Sequence, residues 1–294
     1  MAGKTPGVKP DMTGKVCVIT GGNRGIGLAT ADALAGMGAT VAIISRSAAN
    51  GLAAVDEIIS RTGNPQVRSY EADLASQHSI RQVADRLLRD YPQIDVLVNN
   101  AGAAQRRRSV TVDGVETVFA VNHLAYFLLT NLLLDAIKAA APARIINVTS
   151  DAHQGTRLDF DDLQNERVYF GLRAYAQSKL ANVYFTLELD RRLRGTGVTV
   201  NCMHPGFVAT KLISDYFPLH FITRPLTTLL ATRPQDGADT IIWLASAPET
   251  GYTSGKYFVK RREARSSLIS LDAIIARQLW DVSAELTGLA PATV

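Results

Sequence analysis

The sequence predicts an α/β fold, a doubly wound parallel sheet in a single domain, and three observations carry that prediction. Short apolar, β-branched runs alternate with stretches of helical periodicity along most of the chain. The first run leads at once into a glycine-rich turn, Gly21 to Gly27, and then into an alanine-rich helical pattern. Strand, glycine turn and helix start in that order form a corner where backbone N–H groups and the helix dipole face an anion. Small or polar residues close the later runs, at Asp73, at Asn99 to Gly102 and at Thr149 and Ser150, the edge where an open parallel sheet binds its ligands.

The elements follow in order. Lys15 to Thr20 reads as the first strand, and the helix after the glycine turn runs to about Met37. Thr40 to Ser45 is the second strand and ends at Arg46. An acidic residue at that strand end suits the ribose 2′-hydroxyl of NAD, whereas an arginine suits the 2′-phosphate of NADP. Arg24, in the glycine turn, could flank the same phosphate, since guanidinium groups meet phosphates with paired donors; the alternative is two solvated surface arginines. Helix 48–61, strand 66–70, helix 76–90 and strand 94–98 continue the alternation. A long helical stretch, about 115–140, holds Asn122 among apolar neighbours, where it is either a structural fastener or part of a polar site. Ala143 to Val148 is the fifth strand and Val198 to Met203 the sixth, leading into His204, Pro205 and Gly206. The last helix spans about 270–287, and Lys260, Arg261, Arg262 and Arg265 before it read as a loop.

Between the fifth and sixth strands, helix 172–193 carries Tyr175 and Lys179, four residues apart and so on one helical face. A neighbouring cation stabilises a phenolate and draws a tyrosine below its ordinary pKa of ~10. Tyr175 could then exchange a proton with a carbonyl or alcohol oxygen.

Composition bounds the rest. The 294 residues are 47% hydrophobic and 20% charged, which excludes a wholly disordered chain. The net charge of +4 is spread out and not interleaved with aromatic residues, so nucleic acid is not an expected partner. Cys17 and Cys202 each sit in an apolar run, which argues against a disulfide framework and for an intracellular, cytoplasmic protein. Residues 1–13 hold two prolines and two lysines without an apolar core and read as a flexible tail, leaving 14–294 as the domain. The most apolar stretch, Leu124 to Leu134, is about eleven residues against the ~20 a membrane span needs, so no integral membrane segment is expected. The histidines at 78, 123, 153, 204 and 220 lack ligand spacing, and no metal is expected.

The Thr20 to Gly27 turn, Asn99 to Gly102, Asn122, Ser150, Tyr175 with Lys179, and Pro205 with Gly206 together resemble the motifs of the short-chain dehydrogenase/reductase family, in order, from Gly14 to about Leu289. The run from Ala174 to Val183, the Gly195 to Gly197 turn and the tail around Leu279 to Leu286 are similar to its retinol dehydrogenase-like branch. The resemblance implies a Rossmann-type domain and an NADP(H)-dependent oxidoreductase acting on a carbonyl or alcohol, with NADP preferred to NAD. Tyr175 would be the general acid, Lys179 would hold the nicotinamide ribose and depress the Tyr175 pKa, Ser150 would position the substrate oxygen, and Asn122 would hold a water linking Lys179 to solvent. The cofactor would lie along Gly21, Asn23, Arg24, Gly25, Ile26 and Gly27, along Ser45 and Arg46, beside Asp73 and Leu74 near the adenine, and against Asn99, Ala101 and Gly102. Pro205, Gly206, Val208 and Thr210 would border the nicotinamide. A homo-dimer or homo-tetramer is expected from the family.

Substrate recognition is expected from residues 151–171, from a substrate loop at 207–233 and from a C-terminal helical extension at 260–294. Apolar residues between Phe207 and Ile222 suit either a lid over a hydrophobic small molecule or an interface. Arg106, Arg107 and Arg108 read as a solvated charge run more readily than as a steering patch. Two other readings stay open: a redox-neutral biosynthetic step on the same fold, and a dinucleotide-binding sensor without turnover.

Overall fold

The computed structural model describes residues 10–206 and 233–289. Seven parallel strands and one antiparallel edge strand form a single sheet. In chain order they are β1 (Val16–Thr20), β2 (Thr40–Ser45), β3 (Val67–Glu71), β4 (Val96–Asn99), β5 (Ala143–Val148), β6 (Val198–His204), β7 (Lys256–Val259) and β8 (Arg262–Ala264), and their spatial order is 3-2-1-4-5-6-7-8. The chain reverses direction across the sheet between β1 and β4, which opens a crevice at their carboxyl ends, the switch point where such sheets bind ligands.

Successive strand residues point to opposite faces, so each strand feeds two cores. Val18, Ile44, Leu97 and Ile145 pack under α3 (Gln77–Asp90), α5 (Ala125–Ala139) and α6 (Gly171–Arg192). Their neighbours Ile19, Ile43, Val98 and Ile146 pack under α1 (Gly25–Ala35), α2 (Ala48–Thr62) and α7 (Pro234–Ser246). Helices on both faces explain why the central strands β1, β2 and β4 are almost continuously apolar, whereas the edge strand β3 mixes buried and exposed residues.

The long helical stretch near 115–140 is not uniform. It opens with one α-turn, α4 (Thr117–Phe119), passes through a π-helical turn over Ala120–Leu124 and continues as α5. The run Thr117–Ala139 is long and apolar enough by length and composition to cross a membrane, whereas the sequence count gave about eleven residues; here 72% of its most apolar window is buried in the fold. It fills the space between the β4–β5 surface and α6.

The segment 260–265, expected as a loop, is instead the second half of a hairpin. β7 and β8 are joined by Lys260 and Arg261, both with positive φ, 50° and 59°. A two-residue hairpin turn of this hand requires positive φ at both positions and ordinarily uses asparagine or glycine. Here the Arg261 N–H donates to Thr240 Oγ1 at 3.0 Å and its guanidinium forks onto Asp239, which holds the turn to α7.

The last helix, α8 (Ala273–Thr287), is capped by Asp272 and seats Trp280 against Phe127, with ring centroids 4.8 Å apart, and against Phe185 at 5.9 Å. The Arg192 guanidinium lies over the same indole at 4.1 Å. Removing that ring leaves a core-sized hole, so Trp280→Ala is expected to lower stability by about 3–5 kcal/mol, read as a shifted midpoint in chemical denaturation.

Candidate active site

At the switch point the glycine turn is held by side chains from two strands. The N–H groups of Asn100 and Ala101 both donate to Thr20 Oγ1, at 2.8 and 2.9 Å, and Asn100 Nδ2 donates to the Thr20 carbonyl at 2.8 Å. A side chain at Gly27 would bring its Cβ within 2.3 Å of the Gly21 carbonyl oxygen, so only glycine allows α1 to start this close. Helix α1 has no side-chain cap, which leaves its first N–H groups facing the crevice. Asn23 is partly exposed in the turn, and Ile26 is buried against the core.

Arg24 and Arg46 are exposed at this end, and neither forms an ion pair among the described residues. Ser45 is buried, its hydroxyl donating to the Ser47 carbonyl at 3.0 Å, and Ser47 caps α2. Asp73 Oδ1 accepts from the Ala75 N–H at 3.0 Å while Leu74 packs partly against the core. Asn99 differs from expectation. Its amide turns inward, donating to Thr130 Oγ1 and Asn147 Oδ1, both at 2.9 Å, so its side chain ties α5 to the sheet and only its backbone borders the crevice.

Tyr175 and Lys179 project from α6 across the ends of β4 and β5. Lys179 is 3% exposed, and its Nζ donates to the Val148 carbonyl at 3.0 Å. The same nitrogen lies 5.7 Å from the ring centroids of both Tyr175 and Tyr126. Burial draws the lysine down to about 7. The Tyr175 phenol lies above its ordinary value, because burial outweighs a hydrogen bond with Ser150 that acts in the opposite direction. In the protein alone, burial of the phenol thus acts against the lowering expected from the lysine beside it.

Asn122 sits in the π-helical turn, and both ends of its side-chain amide are hydrogen-bonded. Oδ1 accepts from the Ala103 N–H at 2.6 Å, and Nδ2 donates to the Ala103 carbonyl and to Ser178 Oγ, both at 2.9 Å. Its backbone carbonyl accepts from Asn182 Nδ2 at 2.8 Å. The side chain therefore fastens the turn to Ala103 and Ser178, and it leaves the second lone pair of Oδ1 beside the space that Gly102 keeps open next to Lys179. Tyr126, which the sequence reading passed over, donates to the Ala101 carbonyl at 2.7 Å and forms the floor beneath Lys179.

Space is left open beside the lysine. A Cβ at exposed Gly102 would stand 3.5 Å from Asn122 Oδ1 and 3.7 Å from Lys179 Nζ, so the glycine keeps one wall open beside a buried ammonium. That ammonium has three donors, and the described residues supply one oxygen, the Val148 carbonyl. Pro205 and Gly206, with φ of 83° at the glycine, end β6 on the same edge. Val208, Thr210 and the substrate loop lie outside the described residues, apart from Arg233.

The segment 151–171 is held down at several points. Arg108 donates to the Gln164 carbonyl at 3.0 Å and pairs with Glu166 at 3.3 Å, so one member of the arginine run is a structural tie. Arg106 and Arg107 are exposed. Among the described residues, no three His, Cys, Asp or Glu side chains converge to hold a metal ion.

The lysine gives a pH signature. With its pKa at about 7 against an ordinary value of 10.5, the unfolded chain binds more protons between those values, so this group makes stability rise with pH across that window. Denaturation of the cofactor-free protein at several pH values in that range is expected to show a steeper rise for wild type than for Lys179→Met.

The family model for short chain dehydrogenases matches residues 15–218. The chain is 44% identical to mouse retinol dehydrogenase 13, covering 97% of this chain and 87% of that protein, and 41% identical to human retinol dehydrogenase 14, covering 98% and 89%. Among solved structures, an uncharacterised protein from Mycobacterium paratuberculosis aligns with a TM-score of 0.77 and 34% identity over 95% of both chains. A short chain dehydrogenase from Burkholderia cenocepacia, solved in complex with NADP, aligns at 0.68 with 27% identity over 84% of this chain and 96% of its own. With the parallel sheet, the glycine turn and the Tyr175–Lys179 face in one molecule, the chain belongs to the short-chain dehydrogenase/reductase family of nicotinamide-dependent oxidoreductases, and within it is retinol dehydrogenase-like.

Proposed function

We propose that the protein is an NADP(H)-dependent oxidoreductase that interconverts a carbonyl and an alcohol on a hydrophobic small molecule. The observation that carries this reading is the buried Lys179 ammonium 5.7 Å from the centre of the Tyr175 ring and bonded to the Val148 carbonyl, at the carboxyl edge of the sheet.

A bound nicotinamide supplies or accepts the hydride. The chain supplies the rest. Tyr175 gives its proton to the carbonyl oxygen in reduction and recovers it in oxidation. Ser150 donates a hydrogen bond to the same oxygen, an interaction that strengthens as negative charge develops there. Lys179 titrates near neutral pH, and in its charged form it favours the phenolate beside it. The glycine turn and α1 would hold the pyrophosphate, Gly102 and Lys179 the ribose next to the nicotinamide, and Arg24 and Arg46 the 2′-phosphate. Two exposed guanidiniums without ion-pair partners among the described residues support NADP over NAD.

A hydrophobic substrate is supported by the surface around the start of α6. Leu172 shares a helical face with Tyr175 at three residues' spacing and is 58% exposed, and Phe170 beside it is 64% exposed. The curated relatives named as retinol dehydrogenases point the same way, so retinal is the first carbonyl to try, with long-chain aldehydes beside it. Both cysteines are free and buried, in keeping with a reducing, cytoplasmic compartment. A homo-dimer or homo-tetramer completes the proposal, and sedimentation of the full chain tests it.

Steady-state NADPH oxidation with these aldehydes tests the chemistry. Tyr175→Phe is expected to lower kcat by about 10²–10⁴-fold while NADPH still binds. Turnover by Tyr175→Phe at the wild-type rate would end the assignment. Arg24→Ala and Arg46→Ala are each expected to reduce the NADPH to NADH preference in kcat/KM by about tenfold, the loss of one charge-assisted contact.

A further inference from the structure

The peptide bond that follows Ser150 is held at both of its polar groups by a histidine nitrogen. Its carbonyl, on Ser150, accepts from His153 Nδ1 at 2.6 Å, and its N–H, on Asp151, donates to His204 Nδ1 at 3.2 Å. These partners fix the tautomers. A carbonyl only accepts, so His153 carries its proton on Nδ1, and its Nε2 accepts the Ser267 N–H at 3.2 Å. His204 must accept at Nδ1, so its proton lies on Nε2, which donates to Asp151 Oδ2 at 3.1 Å. Both rings are therefore neutral, and they are of opposite tautomer.

The surroundings keep them so. His153 is 0% exposed and stands edge-on to the Tyr257 ring, with centroids 5.1 Å apart. Burial lowers both histidine pKa values, opposed in each by the Asp151 carboxylate and, for His204, assisted by His153. Asp151 is the charged neighbour of the pair, and its other oxygen accepts from the Tyr257 hydroxyl at 2.6 Å. Within the clamped turn, Ser150 Oγ accepts the Ala152 N–H at 3.2 Å, which commits a lone pair and leaves the hydroxyl proton to be donated outward.

We infer that His153 and His204 are positioning residues: together they clamp the Ser150–Asp151 peptide and so fix where Ser150 presents its hydroxyl. The inference rests on the proposed role of Ser150 at the reacting oxygen. It assigns a purpose to two histidines that touch neither Tyr175 nor Lys179 among the described contacts. It also ties the segment before α8 to the serine, through the Ser267 N–H.

The near nitrogen of each ring does the holding, which makes the inference testable by choice of amide. Asparagine places its terminal atoms where Nδ1 lies, and glutamine places them where Nε2 lies. With NADPH and retinal or decanal, His153→Gln and His204→Gln are each expected to lower kcat about tenfold with the NADPH KM within about twofold, a displacement effect. The double variant should lose little more than either single one, because both act on one peptide. His153→Asn and His204→Asn should return kcat to within about threefold of wild type. Losses that multiply in the double variant, or asparagine variants as slow as glutamine ones, overturn the clamp. A Ser150→Ala variant separates the two ideas: if it collapses while the glutamine variants turn over normally, the clamp fails and the serine assignment stands; if it turns over normally, the serine assignment fails and the clamp's purpose with it. Ring-nitrogen NMR of the full chain at neutral pH reads the clamp without any substrate, and a charged ring or an exchanged pair of tautomers overturns it.

Discussion

A lysine ammonium almost sealed inside the protein is the constraint from which the rest of the site follows. Lys179 is 3% exposed, and the described residues give its nitrogen one carbonyl, that of Val148, and the faces of two tyrosine rings. Burying a charge is costly unless oxygens and π-faces replace its water, so the strand end, the helix carrying the lysine and the floor beneath it must all stay in register. β5 supplies the carbonyl, α6 supplies the lysine and Tyr175, and α5 supplies Tyr126. The lysine answers by titrating near neutral pH, which suits the proton exchange proposed for the phenol beside it.

That register is kept by a buried polar chain running behind the site. Asn99 donates to Asn147, Asn147 to Thr186 at 3.0 Å, and Thr186 to the Asn182 carbonyl at 2.7 Å. Asn182 in turn donates to the Asn122 carbonyl and lies 3.3 Å from His123 Nδ1, whose other nitrogen meets Ser283 Oγ on α8 at 2.8 Å. Most members are satisfied in one geometry only, so the chain orders β4, β5, α6, the π-helical turn and α8 relative to each other. A hydrophobic substitute could fill the volume but would not fix the rotation of α6 that points Tyr175 into the crevice.

The layout of strands and helices was legible because it rests on periodicity and on glycine, which act locally. β1, β2 and β5 begin or end within a residue of where their apolar runs suggested. Orientation was not legible. Asn99 and Asn122 carried the right family pattern, yet a sequence does not say which way an amide turns, and here Asn99 faces the core while Asn122 Oδ1 borders the space beside Lys179. The β7–β8 hairpin escaped notice because its turn uses Lys260 and Arg261, where a search for asparagine and glycine finds nothing; the contacts to α7 that tolerate this are made far along the chain. Tyr126 was missed, and the contacts of Thr20 and Asn100 went unread within their motifs, for the same reason. Their roles depend on the crossing of β1, β4 and α5, and no spacing along the chain records a crossing.

The short last strand also bears on how copies of this chain can meet. β8 has three residues, Arg262 and Glu263 are exposed, and Glu263 pairs with Lys256 on β7 at 2.9 Å. A second sheet approaching from that side would find few unpaired backbone groups to align with and would have to strip water from charged side chains to reach them. The antiparallel strand thus acts as a selvedge, a finished border that stops the fabric of the sheet from being extended. On this side of the sheet a growing, open-ended stack has no template.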